Sequence, residues 1–440
     1  MRSDELRSTY GLTGSGVAIG TISDSDRYRE TSQSTGDLPA SVTVLSNRSG
    51  RPGSGEGTAM MELVYDVAPG SDLWFSTGNG GVNAFAQNYR DLFSGGCSVL
   101  SDDLIYIAEP AFQDGPVARA INDIWAAGGI CFTAAGNENN VRSNNSGVWE
   151  GDYANSGVSF THNGRTGNFH AWTGTQTSNQ VTGLGTPYLT LQWNDTWGGA
   201  SSDYDLIVRD SAGNVVLAST SNNVGGFPYE GVSNTVANRF AYVTKISGNN
   251  RVLRLNQFRG TFQVRTGGQI YGHAAGDKGI GVAAINAIRS IPRAFNAGDV
   301  TTGYSSDGLR RVYYDADNNQ ISTDLTYAGA AIRNKPVVAG PDGTSTTVPG
   351  FQPFYGTSAA APHVAALSAL LKQFAPDATN TQILAALTGG AVDILTPGYD
   401  KDSGFGAVSG RGAVKVLMEA KTLGVSPASG NASPIINIST

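Results

Sequence analysis

Residues 97–137 read CSVLSDDLIYIAEPAFQDGPVARAINDIWAAGGICFTAAGN, and this stretch decides the fold. Its two ends, CSVLSDD (97–103) and ICFTAAGN (130–137), are short apolar runs rich in β-forming residues, which predicts buried strands. Between them, VARAINDIWAAGG (117–129) has helical spacing and closes on two glycines. A strand, a crossover helix and a second strand in this order predict a parallel βαβ unit.

The same alternation continues on both sides of this unit. Further strands are predicted at 16–24, 71–77 and 279–287, and further helices at 57–67, 83–96 and 356–374. The chain is therefore predicted to be an α/β protein with a doubly wound, mostly parallel sheet. Such sheets carry their sites at the carboxyl ends of the strands. The polar residues predicted at those ends are Asp24, Asp102, Asp103 and Asn137.

A β-rich segment interrupts this pattern at residues 149–272. It has almost no helical periodicity and contains short alternating runs such as YLTLQWND (188–195) and DYDLIVRD (203–210), which predicts an inserted antiparallel β-sandwich. The predicted domains are a discontinuous α/β domain at 1–148 and 273–425 and the sandwich at 149–272. Residues 426–440 are rich in Ser, Pro and Asn and are predicted to be a linker or tail.

Composition narrows the class of protein. The net charge is −7 and no basic block occurs, so we do not expect a nucleic-acid partner. No stretch approaches the roughly 20 apolar residues that span a bilayer, so we do not expect a membrane-embedded protein. Two cysteines, Cys97 and Cys131, are too few for a disulfide framework. Buried thiols are the favoured interpretation, with a single bridge as the alternative.

The motif Gly-Thr-Ser-Ala-Ala-Ala-Pro-His-Val (356–364) carries the functional information. Glycine before Ser358 permits a tight turn, and the small residues after it let a helix pack closely beneath the serine. A serine at a helix N-terminus has backbone N–H groups nearby that stabilise an oxyanion. A serine that only caps a buried helix is the alternative for an isolated Gly-x-Ser.

This motif resembles the nucleophile motif of subtilisin-like peptidases. Three further segments resemble the same family: TAAGN (133–137), GYSSDG (303–308) and KPVVAGP (335–341). The resemblance implies that Ser358 is the nucleophile, that Asn137 supplies an oxyanion-hole amide and that His363 is a structural residue of the helix. Gly136 and Asp103 are expected to bind substrate in the cleft. The implied activity is peptide-bond hydrolysis on protein or peptide substrates.

The catalytic histidine of subtilisins is missing. The residue before Gly57-Thr58, where a subtilisin carries that histidine, is Glu56. The chain thus resembles sedolisins, relatives that use a glutamate on this helix as the base. Sedolisins also carry an aspartate one turn later, but this chain has Met60 there. The supporting carboxylate is therefore expected from the first strand, with Asp24 as the best match.

Other candidates for that third position remain open. They are Asp26, because of a one-residue offset, and Asp103, at the end of the neighbouring strand. Two close carboxylates cannot easily both ionise, so one pKa rises and a glutamate becomes a better base. The sequence predicts a serine endopeptidase that works through an acyl-enzyme with a Ser-Glu-Asp triad. An inactive, peptide-binding pseudoprotease is the alternative.

No cofactor is expected to be required. Calcium is common in both families, and Asp393, Asp400 and Asp402 are candidate ligands for a structural ion, although their spacing is not diagnostic. The resemblance implies a secreted or cell-envelope protein, whereas residues 1–14 have no apolar signal-peptide core. Removal of a leader is the favoured explanation, with a cytosolic protein as the alternative. We expect a monomer.

Overall fold

The computed structural model describes residues 1–289 and 293–423. The predicted linker or tail at 426–440 lies outside the described residues. Cys97 and Cys131 are both buried and unpaired, which confirms the prediction of free thiols. Burial raises the pKa of the Cys97 thiol to about 12.

The helices and strands are numbered in chain order. The α-helices are α1 (Ser3–Tyr10), α2 (Arg29–Thr35), α3 (Glu56–Val67), α4 (Val82–Ser94), α5 (Pro116–Ala126), α6 (Thr357–Phe374), α7 (Asn380–Gly389) and α8 (Gly410–Leu423). The strands before the β-rich segment are β1 (Ala18–Ser23), β2 (Thr43–Val44), β3 (Asp72–Thr77), β4 (Val99–Asp102) and β5 (Ile130–Ala134). Those of the β-rich segment are β6 (Val148–Asp152), β7 (Asn155–His162), β8 (Arg165–His170), β9 (Asn179–Gly183), β10 (Tyr188–Trp193), β11 (Asp203–Arg209), β12 (Val215–Ser219), β13 (Tyr229–Ser233), β14 (Phe240–Ser247), β15 (Val252–Gln257) and β16 (Thr261–Phe262). After it come β17 (Ile280–Asn286), β18 (Arg310–Val312), β19 (Ala331–Arg333) and β20 (Val338–Asp342).

The central sheet has the strand order β2-β3-β1-β4-β5-β17-β20, and these neighbours pair in parallel. Successive strand residues face opposite layers because side chains alternate along a strand. Ile19 and Phe132 belong to the core with α3 and α6, whereas Ile22 and Cys131 belong to the core with α4 and α5. Helices on both faces of a parallel sheet confirm the predicted α/β class.

Helix α6 lies close to the sheet because its first residues are small. A side chain at Gly340 on β20 would meet the backbone oxygen of Ala360 at 2.7 Å. Ser358 and the twelve residues that follow it are all buried. The alanines and glycine therefore set the depth at which the N-terminal turn of α6 lies against the sheet.

Antiparallel strands β6 to β16 form two sheets between β5 and β17. One has the order β13-β10-β15-β6, and the other contains β12-β11-β14-β8-β7 with β9 and β16 alongside. A shared apolar core, which includes Trp193, Leu206 and Val243, lies between them. This antiparallel region confirms the predicted all-β insertion, while the domain boundaries at 148/149 and 272/273 stay a prediction.

Two elements show what the sequence interpretation left out. Helix α7 was not predicted, although Thr379 and Gln382 form a capping box at its start. Strand β4 ends at Asp102 rather than at 103, so Asp103 lies just beyond the regular strand. Asp103 is therefore outside the hydrogen-bond ladder of the sheet. It lies at the carboxyl end of the strands, with the other polar residues predicted there.

A buried histidine holds the loop after β4. His273 Nε2 lies 3.0 Å from Asp102 Oδ1, and Nδ1 lies 2.9 Å from Glu109 Oε1. The two negative carboxylates outweigh the cost of burial and raise the pKa of His273 to about 10. Tyr89 donates a further hydrogen bond to Asp102. The imidazolium therefore fixes residue 102, next to Asp103, to the segment that follows.

We expect His273→Asn to lower the free energy of unfolding by about 3–5 kcal/mol, because it leaves two buried carboxylates without their cation. The folded pKa of His273, about 10, lies above its usual 6.5, so its contribution is full below pH 6.5 and is lost as pH rises toward 10. Urea unfolding at pH 6, 8 and 10 measures both effects. His162→Asn is the control, and an identical pH dependence in the wild type and His273→Asn would contradict the assignment.

Candidate active site

Ser358 lies in the first turn of α6, at the carboxyl end of the parallel sheet. Gly356 precedes the helix with φ of 114°, a backbone conformation that side-chain-bearing residues rarely adopt. The serine is 6% exposed, so its hydroxyl reaches a surface that is nearly closed. Within the part of the chain that the structure describes, no acceptor binds the backbone N–H of Ser358. This N–H is free to bind an oxyanion.

Asn137 follows β5 and contacts the same helix turn. Its side-chain oxygen accepts hydrogen bonds from the Thr357 N–H at 2.9 Å and the Thr357 hydroxyl at 3.0 Å. These bonds direct its NH₂ group toward Gly356, where an added Cβ would lie 2.9 Å from Nδ2. Asn137 thus presents a donor beside Ser358, as a residue of an oxyanion hole requires.

Glu56 is the first residue of α3. Gly57 after it packs so closely that a Cβ would lie 2.3 Å from the Phe75 ring, so the helix start is pressed onto β3. Burial raises the pKa of Glu56 above its usual value, while the nearby Asp103 carboxyl and Ser358 hydroxyl lower it. Glu56 therefore interacts with both the predicted nucleophile and a second carboxyl.

Asp103 is the partner of Glu56 in this pair. Burial and the negative charge of Glu56 raise the pKa of Asp103 well above its usual value. Both of its carboxyl oxygens are buried and receive no hydrogen bond from the residues that the structure describes. An ionised carboxylate would be poorly stabilised there, which agrees with the raised pKa of Asp103.

Asp24 lies at the end of β1 and holds the loop that leads into α3. Its carboxylate accepts hydrogen bonds from the Ser54 hydroxyl at 2.7 Å and from the N–H of Gly55 at 3.3 Å and Gly57 at 3.4 Å. Its charge also acts on Glu56 and raises the pKa of that residue. Asp24 is therefore positioned to fix the residues on both sides of Glu56.

The neighbouring Asp26 has a different environment. Its carboxylate is buried and paired with Arg29 at 2.8 Å and Arg51 at 2.6 Å. It holds α2 and the 48–52 loop together, away from Glu56.

The histidines are engaged elsewhere. His363 Nδ1 donates to the Ala359 carbonyl at 2.7 Å, and burial lowers its pKa to about 4, so it is a neutral residue of α6. His273 belongs to the buried network after β4. His162 and His170 lie on β7 and β8 of the insertion. Among the described residues, Glu56 is a titratable side chain whose pKa the Ser358 hydroxyl affects.

Gly136 and Glu138 flank Asn137. The Gly136 N–H donates to the Thr357 hydroxyl at 3.1 Å and its carbonyl accepts from the Ser306 N–H at 2.9 Å, so both its backbone polar groups are engaged. Its predicted role in substrate binding stays a prediction. Glu138 accepts the N–H of Arg259 at 2.7 Å, a contact with the inserted region that sequence reasoning missed. No local motif signals it, because the two residues are far apart in the chain.

The candidate calcium ligands do not converge. Asp393 accepts the Gly398 N–H at 2.7 Å, and Asp400 accepts the N–H groups of Asp402 and Ser403 at 2.8 Å. In residues 1–289 and 293–423, no group of three or more His, Cys, Asp and Glu side chains could hold a metal ion. A structural calcium ion stays a prediction. No helix of the described chain has the length and apolar character that crossing a bilayer demands.

A solved peptidase structure shares the fold of this chain. The Clostridium perfringens CspB protease aligns over 94% of this chain and 97% of its own, with 15% identity and a TM-score of 0.59. Fervidolysin from Fervidobacterium pennivorans, a keratinolytic enzyme related to subtilisin, aligns over 92% of this chain and 43% of its own, with 13% identity and a TM-score of 0.40. At these identities the alignments compare folds alone. A search of curated proteins gives no significant match.

The family model of the subtilases matches residues 113–406. This range is more than half of the chain and contains Asn137 and Ser358, whereas Glu56 and Asp24 precede it. The serine at the start of α6, the donor amide beside it and the parallel sheet that holds both agree with that match. The chain therefore belongs to the subtilase family and is a serine-type peptidase.

Proposed function

We propose that this protein is an endopeptidase in which Ser358 is the nucleophile and Glu56 is the general base, as in the sedolisin-like branch of the superfamily. The observation that carries the proposal is the proximity of the Glu56 carboxyl to the Ser358 hydroxyl and the Asp103 carboxyl, both of which act on its pKa. A serine hydroxyl needs an adjacent base to attack a carbonyl. Glu56 is the group that meets this need.

In the acylation step, Ser358 Oγ attacks the carbonyl carbon of the scissile bond while Glu56 accepts the hydroxyl proton. The Asn137 NH₂ group and the Ser358 N–H donate to the developing oxyanion. Glu56 then gives its proton to the leaving amine, the C–N bond breaks and an acyl-enzyme remains. In deacylation a water molecule attacks the acyl carbon while Glu56 accepts its proton. The bond between the acyl carbon and Ser358 Oγ then breaks, and Glu56 returns the proton to Oγ as the acid product leaves.

The two aspartates support Glu56 in different ways. Asp103 supplies a carboxyl that shares a proton with Glu56 and keeps the pair from carrying two negative charges in a buried site. Asp24 occupies the position predicted for a triad aspartate from the first strand, and its hydrogen bonds support a role in holding the start of α3. We propose that Glu56 needs Asp103 for its protonation state and Asp24 for its position.

The alternative of an inactive, peptide-binding pseudoprotease has no support from the family match. The free Ser358 N–H and the outward Asn137 amide are features that peptide binding alone does not require. Secretion or a place in the cell envelope stays a prediction from the resemblance, as does the monomeric state.

We expect Ser358→Ala to abolish peptide hydrolysis and labelling by a fluorophosphonate probe, because the attacking oxygen is lost. Peptide mapping of the labelled wild type should place the probe on Ser358. Ser368→Ala, further along the same helix, is the matched control and should keep both properties. Labelling that persists in Ser358→Ala would refute the assignment of the nucleophile.

Glu56→Gln should lower kcat/KM by about 100- to 10,000-fold, because it removes the base and keeps the shape of the side chain. In the wild type, activity should rise as pH increases through the raised pKa of Glu56. It should fall again when the carboxyl pair loses its shared proton, which gives a bell without an imidazole limb.

The measurement is kcat/KM against pH for the wild type, Glu56→Gln and Asp66→Asn. Asp66 is an exposed carboxylate on the same helix and controls for a general change in charge. A Glu56→Gln enzyme with the wild-type rate and profile would show that another group is the base.

The two aspartates should differ in their pH profiles. Asp103→Asn removes the shared proton, so the fall of kcat/KM on the alkaline side should shift or vanish. Asp24→Asn removes hydrogen bonds to the loop before α3, so it should lower kcat and stability while both limbs of the profile remain. Profiles of kcat and kcat/KM for each variant test this. A lost alkaline limb in Asp24→Asn and not in Asp103→Asn would reverse the two roles.

A further inference from the structure

A turn of the inserted sandwich reaches the active site. Residues 258–260 connect β15 to β16 and lie against the segment that follows Asn137. The Arg259 N–H donates to Glu138 Oε2 at 2.7 Å, and the Asn139 side chain donates to the Gly260 carbonyl at 3.2 Å. The inserted region is therefore joined by hydrogen bonds to the residues next to the oxyanion donor.

The turn is held from its other side as well. The Thr186 N–H donates to the Phe258 carbonyl at 3.0 Å, and a Cβ at Gly185 would lie 2.3 Å from the Cβ of Arg259. Arg259 itself has φ of 54°, in the left-handed region that favours glycine. A backbone fixed on both sides keeps residue 259 in this conformation, so its side chain leaves from a defined point.

The Arg259 guanidinium is an exposed positive charge next to Glu138. Its side chain is 54% exposed, whereas that of Glu138 is 4% exposed. The Glu138 carboxylate is occupied by the backbone N–H of Arg259 and lies 3.5 Å from Arg259 Nε. Among the described residues, no acceptor binds the two terminal guanidinium nitrogens. Arg259 also acts on Glu56, whose pKa its positive charge lowers.

We propose that Arg259 is a specificity-determining residue that binds a carboxylate side chain of the substrate next to the scissile bond. This inference rests on the proposed function. The attacked carbonyl must lie between Ser358 Oγ and the Asn137 amide, so the substrate residue that carries it passes beside segment 136–138. Arginine binds carboxylates through its planar fork of N–H donors. The Glu138 carboxylate is 4% exposed and already bound by the Arg259 N–H, so the exposed charge of this pair is the positive charge of Arg259.

The test first maps cleavage sites of the full chain in a mixed peptide library. Three peptides are then made that differ only at the residue before the mapped scissile bond: Glu, Gln or Lys. We expect the wild type to hydrolyse the Glu peptide with a kcat/KM about tenfold above that of the Gln peptide, and the Lys peptide more slowly than either. A charged hydrogen bond at a half-exposed site supports a factor of this size.

Arg259→Gln keeps the backbone N–H that binds Glu138 and removes the charge. It should bring the Glu-to-Gln ratio close to one. Because the Arg259 charge also lowers the pKa of Glu56, the ratio of the two peptides is compared at the pH optimum of each enzyme. Arg259→Lys should keep part of the preference. Arg239→Gln, which removes an arginine elsewhere in the insertion, should leave all three rates as in the wild type.

Failure of the inference about Arg259 and failure of the proposed function give different results. If the wild type cleaves the Glu and Gln peptides equally, or if Arg259→Gln keeps the preference, the inference about Arg259 is wrong and the serine peptidase stands. If neither the library nor the three peptides are cleaved, the proposed function is overturned and this inference with it.

Discussion

The geometry of the candidate site depends on the hydrogen bonds between the Asn137 side chain and the turn that carries Ser358. The Asn137 oxygen accepts both the N–H and the hydroxyl of Thr357, at 2.9 and 3.0 Å, and so joins the end of β5 to the first turn of α6. The same pair of bonds fixes which face of the amide points outward. An aspartate at 137 would offer no donor when ionised. The proposed nucleophile and the proposed oxyanion donor are therefore joined through the Asn137 side chain.

Beside these hydrogen bonds, the proposed chemistry depends on two carboxyls, those of Glu56 and Asp103, that lie close together in a largely buried site. Glu56 and Asp103 come from different layers of the fold, the first from a helix start and the second from the end of β4. Burial raises the pKa of each, and the charge of Glu56 adds to the effect on Asp103. One proton between two carboxyls lowers the cost of burying them and leaves one basic oxygen near Ser358. The buried His273 network holds Asp102, the residue before Asp103, to the segment that follows.

Much of this architecture was predictable from the sequence. The apolar runs and helical spacing of residues 97–137 are strong local signals, and the motif around Ser358 fixes the nucleophile and its helix. The absence of a histidine before Gly57-Thr58 pointed to Glu56. The interaction of Asp103 with Glu56 was only one of three open alternatives, because local periodicity does not tell which way a residue turns after its strand ends.

Contacts between distant segments were out of reach for the same reason. Arg259 meets Glu138 across 121 residues, and His273 meets Glu109 across 164. Neither pair has a spacing that a local pattern records. Asp24 illustrates a subtler case: its position at the end of β1 was expected, but its hydrogen bonds to residues 54–57 depend on the path of a loop. The sequence pattern therefore predicts which residues lie at strand ends, but it does not predict their hydrogen-bond partners.

In the turn at 258–260, the backbone fastens the insertion to the segment after Asn137, while the side chain of residue 259 stays largely free of that contact. Its attachment to the segment after Asn137 uses the backbone N–H and carbonyl of residues 259 and 260, with the Glu138 and Asn139 side chains as partners. The side chain at 259 takes little part in that attachment, since its Nε lies 3.5 Å from Glu138 and it is 54% exposed. A substitution at this position can therefore change the exposed surface while the backbone bonds that fasten the insertion are kept.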